Sequence, residues 1–185
     1  MRKIIVSEWI TLDGVFDADL FDEWFLPYDS EERGEHIGQI IKESGALLMG
    51  FNTYEMLAPY WSQLKNNEMG VADKMNSVPK YVVAEKPLKT KWSNVEKVIK
   101  DNVAEEVKKL KVQEGGPIVI YGSAMLVRAL MDAGLVDEFR FLVHPIILGH
   151  GKRFFTEDIP GAKLELAESK QLPNGVMALT YKPAG

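Results

Sequence analysis

Apolar positions along the chain follow two rhythms. A run of Ile4-Ile5-Val6 inside Lys3 to Ile10 reads as an opening strand, ended by a turn at Asp13-Gly14. From Glu31 to Ser44 the residues Ile37, Ile40 and Ile41 recur at helical spacing, and Gly45 supplies the stop. The unbroken apolar stretch Ala46 to Met49 predicts a buried strand. A short helix runs from Thr53 toward Pro59, and a second covers Glu68 to Ser77. Lys80 to Ala84 and Val95 to Ile99 are rich in β-branched and aromatic residues and read as strands. Asp101 or Asn102 caps a helix with Val103, Val107 and Leu110 on its inner face, broken at Gly115-Gly116-Pro117. Ile118 to Tyr121 is strand. Ala124 to Ala133 is helix with Leu126, Val127 and Leu130 inward and Gly134 at its C-terminal cap. Glu138 to Pro145 is a strand whose proline suits an end, and Leu164 to Ser169 with Val176 to Tyr181 forms a hairpin across Pro173-Asn174-Gly175.

Early alternation of strand and helix with a late hairpin predicts an α/β fold: a mostly parallel central sheet, helices on both faces and a C-terminal antiparallel hairpin. A single domain is expected over residues 1–185. Val15 to Ser30 breaks the pattern. It mixes acids with Phe16, Phe21, Trp24, Phe25 and Tyr28 without a clean period and reads as a long loop, a candidate lid.

Two places share one design. In each, an apolar strand stops at glycine and a small hydroxyl residue opens a helix: Ala46-Leu47-Leu48-Met49-Gly50 leads to Thr53, and Ile118-Val119-Ile120-Tyr121-Gly122 leads to Ser123. Glycine lets the backbone approach a ligand closely, and the free N–H groups of the following helix favour an anion. A pair of such junctions suggests a cofactor with two charged or extended ends, such as a dinucleotide diphosphate held between them.

Composition narrows the functional classes. With 46% hydrophobic residues, 26% charged residues and a net charge of −5, the surface would repel nucleic-acid phosphates. No cysteine is present, which removes disulfides and thiolate metal sites and fits a reducing compartment. No stretch nears the roughly 20 apolar residues of a membrane span. A cytoplasmic protein with no nucleic-acid or membrane partner is expected. His36, His144 and His150 stand in unrelated contexts, so no metal site is expected.

Several landmarks in order resemble the dihydrofolate-reductase-like superfamily, and within it the C-terminal reductase domain of riboflavin biosynthesis. They are Thr11-Leu12-Asp13-Gly14, Gly50-Phe51-Asn52-Thr53-Tyr54, Gly122-Ser123, Ala133-Gly134-Leu135-Val136-Asp137-Glu138 and His144-Pro145-Ile146-Ile147-Leu148-Gly149. The resemblance spans essentially the whole chain. It implies a reductase that uses a nicotinamide dinucleotide, usually NADPH, and pairs as a homodimer. Carried over by position, the cofactor contacts fall on Gly14, on Trp24 in the loop, on Gly50, Phe51, Asn52 and Thr53, and on Gly122, Ser123, Ala124, Met125 and Leu126. Ala84, Glu85 and Lys86 would meet the 2′-phosphate of the adenosine ribose.

The chain also departs from that pattern. Phe51 stands where many relatives carry an arginine for the cofactor phosphates, which removes one charge-assisted contact. Glu85 beside Lys86 replaces a serine-arginine pair, so NADH stands beside NADPH as the cofactor. Leu57, the arginine-free stretch Tyr60 to Leu64 and Tyr121 replace three polar contacts to the family's phosphorylated aminopyrimidine, which points to a different substrate. Hydride transfer also needs a proton donor. Asp13, Glu31 and Tyr121 are the candidates, against plain readings as a turn residue, a first-turn helix acid and a packed strand residue. The expected activity is reduction, by hydride transfer, of a small heterocycle of aminopyrimidine ribosyl phosphate or pteridine type or of a carbonyl compound. The alternative is a non-catalytic protein using the same pocket for a pterin-, flavin- or drug-like ligand.

Overall fold

The computed structural model describes residues 1–157, 159 and 161–184. Among them eight strands form one sheet: β1 (Ile4–Thr11), β2 (Ala46–Gly50), β3 (Lys80–Val83), β4 (Val95–Ile99), β5 (Ile118–Ile120), β6 (Glu138–His144), β7 (Leu164–Gln171) and β8 (Met177–Pro183). Their order is β4-β3-β2-β5-β1-β6-β8-β7. Neighbours from β4 to β6 pair in parallel, and β8 pairs antiparallel with both β6 and β7. This is the expected α/β architecture with its antiparallel hairpin at one edge.

Six helices connect the strands: α1 (Phe21–Trp24), α2 (Glu31–Glu43), α3 (Phe51–Trp61), α4 (Ala72–Ser77), α5 (Val103–Lys111) and α6 (Ala124–Asp132). Side chains alternate across a strand, so each central strand feeds two cores. Ile4, Val6, Ile118 and Ile120 pack with Val107 and Leu110 of α5 and with Leu126, Val127 and Leu130 of α6. Ile5, Leu47, Met49 and Val119 pack on the opposite face with Ile40 and Ile41 of α2, Tyr54 and Ala58 of α3 and Met75 of α4.

Two stretches differ from the sequence expectation. The third helix begins at Phe51, directly after Gly50, and continues through Pro59 to Trp61. A proline in the last turn costs the helix only a bond near its frayed end, so it bends the prediction without breaking the helix. Residues 15–30 are no open loop: they fold into a 3-10 turn at Ala18–Leu20, the single-turn α1 and another 3-10 turn at Leu26–Tyr28. Turns this short cannot display a 3.6-residue period. They are held by tertiary contacts instead. Trp9 stacks on Phe25 at 4.5 Å, Trp24 Nε1 donates to the Asp17 carbonyl at 3.0 Å, and the buried Arg33 donates to the Phe25 carbonyl at 2.6 Å.

Candidate active site

The site begins where two central strands part. β1 and β5 pair as far as Val6 and Ile120; beyond that, β1 continues beside β6 while the other chain turns through Gly122 into α6. Glu8 lies in this gap. Its side chain is buried, and Oε1 accepts the backbone N–H of Gly122. Burial pushes the carboxyl up to about 8, against the smaller opposing effect of that hydrogen bond, so Glu8 carries a proton at neutral pH. The hydroxyl of Tyr121 is buried with no partner at hydrogen-bonding geometry. Burial first, then the nearby Glu8, raises its pKa well above the usual phenol value, and Ser7 only softens the shift.

The two glycine junctions abut. Gly50 N donates to the Gly122 carbonyl at 3.2 Å. A Cβ on Gly50 would stand 2.8 Å from Ser123 Oγ, and one on Gly122 would stand 2.6 Å from Thr53 Oγ1. Gly122 also has a φ of +59°, and the peptide bond to Ser123 is cis. The Ser123 and Thr53 hydroxyls take up the space that a side chain at Gly50 or Gly122 would need, so only glycine is accommodated at the two junctions. Helices α3 and α6 therefore start side by side at the C-terminal ends of β2 and β5, with Ser123 Oγ accepting from Leu126 N at 3.4 Å.

A cavity of about 410 Å³ opens beside the junctions, within the range of small-ligand sites. Asn52, Thr53, Gly122 and Ser123 line one end, next to Glu8 and Tyr121. Ile37 and Ile41 of α2, Leu57 and Trp61 of α3 and Met75 of α4 wall the other. Trp9, Phe16 and Phe21 close it from β1 and the folded 15–30 segment, which thus forms a wall of the site.

The candidate residues separate in space. Of the three proposed acids, Tyr121 lines the cavity and the other two do not. Asp13 is a clamp. Its Oδ1 accepts from Thr11 Oγ1 at 2.6 Å and Leu148 N at 3.1 Å, and its Oδ2 accepts from Gly149 N at 2.9 Å. These donors, Thr11 foremost, hold Asp13 well below the usual carboxylate range, the wrong state for an acid. Glu31 is exposed in the first turn of α2, and that helix turns Ile37 and Ile41 to the cavity instead. Glu8 was not among the expected acids; a lone glutamate between Ser7 and Trp9 inside the opening strand was its only signal.

Among the expected cofactor contacts, Asn52, Thr53, Gly122 and Ser123 line the cavity and Gly50 packs directly against Ser123. Trp24 is corrected: it is 0% exposed inside the Phe21, Phe25 and His144 cluster and offers no ring face, whereas Trp9 and Trp61 do line the space. Gly14 belongs to the Asp13 clamp, its carbonyl accepting from Phe154 N at 2.8 Å. Phe51 is half-buried against the α2–α4 core. The Leu126 side chain is buried in the α5–α6 core, Met125 is exposed, and neither they nor Ala124 line the cavity. Ala84 is buried at the end of β3, with Glu85 and Lys86 exposed after it, on the same rim as the junctions.

The model of the RibD C-terminal domain matches residues 2–178. The chain belongs to that family. The RibD C-terminal match thus takes in both junctions, the 15–30 wall and the first strand of the hairpin. A Bacillus subtilis protein, the uncharacterized YyaP, is 29% identical over 97% of this chain and 94% of its own. A Shewanella sp. PV-4 protein assigned to riboflavin biosynthesis superposes with a TM-score of 0.74 at 19% identity, with both chains fully covered. Dihydrofolate reductase from Enterococcus faecalis, solved with NADP(H), superposes with a TM-score of 0.65 at 16% identity over 99% of this chain and 97% of its own. At such identities the two structures establish the dihydrofolate-reductase-like fold. Among the described residues, no helix is long and apolar enough to cross a membrane.

Proposed function

We propose that this RibD C-terminal domain is an NAD(P)H-dependent oxidoreductase, with NADPH as cofactor and NADH as the alternative, that reduces a small heterocycle of aminopyrimidine or pteridine type or a carbonyl compound. One observation carries the reading: two glycine-ended strand-to-helix junctions touch at 3.2 Å and open into one cavity with a buried carboxyl behind them. The residues fit a dinucleotide, because Thr53 in the first turn of α3 and Ser123 at the N-cap of α6 bring two helix starts to the same cavity. N–H groups at the starts of α3 and α6 would hold its diphosphate. When bound, the dihydronicotinamide supplies the hydride. Glu8 keeps Oε1 on Gly122 N and holds its proton for the heteroatom of the acceptor, with Tyr121 as a second donor. The apolar walls exclude water, which strengthens both contacts.

Exposed Glu85 and Lys86 follow β3 where the adenosine ribose would lie, and the carboxylate there is the reason NADH stays in view. A fluorescence titration with NADPH and NADH tests the reading; no binding at millimolar concentration of either would end it. The rival, a protein that binds but does not reduce, is favoured by Phe51, whose packing leaves the first junction without a cation. Cofactor binding without turnover of any dihydropteridine, aminopyrimidine or aldehyde would support it. We also propose a cytoplasmic homodimer. Every residue of the edge strand β7 is exposed, including Leu164 and Leu166, and open edges of this kind are usually covered. Sedimentation giving a monomer at micromolar concentration would remove the dimer.

A further inference from the structure

The charges around the cavity carry a statement about its ligand. Among the described lining residues Lys152 is the single cation, and it is already engaged: Nζ lies 2.9 Å from Asp19 Oδ2 and 3.0 Å from Asp17 Oδ1. Asp17 holds the same residue a second time, accepting Lys152 N at 3.1 Å. The two carboxylates keep the ammonium protonated, Asp19 more strongly than Asp17. Among the described residues, no arginine or histidine reaches the lining. The rim therefore presents one positive charge against two negative ones, and the wall behind it is aromatic and aliphatic.

Beyond the N–H groups at the starts of α3 and α6, which the cofactor diphosphate would take, a second anion entering this space would leave water for aromatic walls and a net negative rim without a free cation to receive it. A flat, uncharged ring loses nothing comparable. It gains contact with the apolar rings of Trp9, Phe16 and Trp61, and its carbonyl or ring nitrogen meets the donors Glu8 and Tyr121. We propose that the cavity selects an uncharged planar carbonyl or nitrogen heterocycle and discriminates against the same ring carrying a phosphate. This rests on the cavity being the substrate end of the reductase site, and it narrows that reading to one charge class.

A matched pair of probes tests it: 7-hydroxy-4-methylcoumarin, kept neutral at slightly acidic pH, and its 7-phosphate. Binding is read by fluorescence anisotropy with and without NADPH, so turnover is not needed. The uncharged ring is expected to bind at least about 10-fold more tightly, a difference of about 1.4 kcal/mol. Asp19→Asn loosens the hold on Lys152 and should narrow that ratio several-fold by improving the phosphate. Equal or tighter binding of the phosphate, a ratio unmoved by Asp19→Asn, or failure of both rings to bind would overturn the proposal. NADPH titrated alone separates the two readings. If NADPH binds and the rings fail, the charge selection falls while the reductase stands; ring selectivity with no NADPH binding leaves the selection standing and removes the redox role.

Discussion

Glu8 Oε1 accepts the N–H of Gly122 across the gap where β1 and β5 stop pairing. This single contact joins the buried acid to the second glycine junction. It satisfies a backbone donor that strand pairing leaves over, and it fixes the carboxyl beside the cavity.

Replacing the acid while keeping the acceptor isolates its proton. Glu8→Gln should lower the rate at neutral pH about 10²-fold with little change in cofactor affinity. The wild-type rate should fall as pH rises through about 8, the value to which burial lifts this carboxyl, and the variant should lack that limb. Stability carries the matching sign. A folded-state pKa raised above the unfolded one makes the wild type lose about 1.4 kcal/mol per pH unit between the ordinary carboxylate range and the raised value. Denaturation of the variant should show no such slope. Equal slopes in both proteins would place the titrating group elsewhere.

Close approach of the junctions predicts a paired effect. Gly50→Ala places a Cβ 2.8 Å from Ser123 Oγ in an unstrained backbone, so the contact alone does the damage. The variant should lose about 1–3 kcal/mol and bind NADPH more weakly. Adding Ser123→Gly removes both tight side-chain contacts and should restore part of each loss. Strictly additive effects in the double variant would show that the two turns are not in contact in solution.

Asp13 should prove structural. Asp13→Ala strips Thr11 Oγ1, Leu148 N and Gly149 N of their acceptor, at a cost of about 1–3 kcal/mol. Because its folded pKa is depressed, the wild-type advantage is present above the normal carboxylate range and fades as pH falls below it. Cofactor binding and turnover per folded molecule should persist. A selective loss of kcat with unchanged melting would return Asp13 to the chemistry.

Phe51 is the position that tests the cofactor's path. Phe51→Arg adds a cation at the first residue of α3, and a diphosphate passing there should bind about 10-fold more tightly, the size of one charge-assisted hydrogen bond. The gain should shrink as salt is raised. An unchanged or lower affinity, measured by the same fluorescence titration, would move the diphosphate away from this junction.

Much of this protein was legible in the chain itself. The central strands announced themselves because burial on both faces demands unbroken apolar runs such as Ala46 to Met49, and long helices such as α2 because Ile37, Ile40 and Ile41 share one side. The glycine junctions showed for a local reason too: only glycine lets two backbones meet as Gly50 and Gly122 do. Three matters were decided by tertiary structure. Residues 15–30 become a wall through Trp9, Phe25 and Arg33, partners drawn from other segments. Asp13 is spent on Leu148 and Gly149, 135 and 136 positions away. Glu8, an unremarked acid in a strand, acquires its proton from burial beside Gly122. Periodicity reports which face of an element is apolar, because that is local. The protonation of an acid depends on what surrounds it after folding, and no spacing along the chain records that.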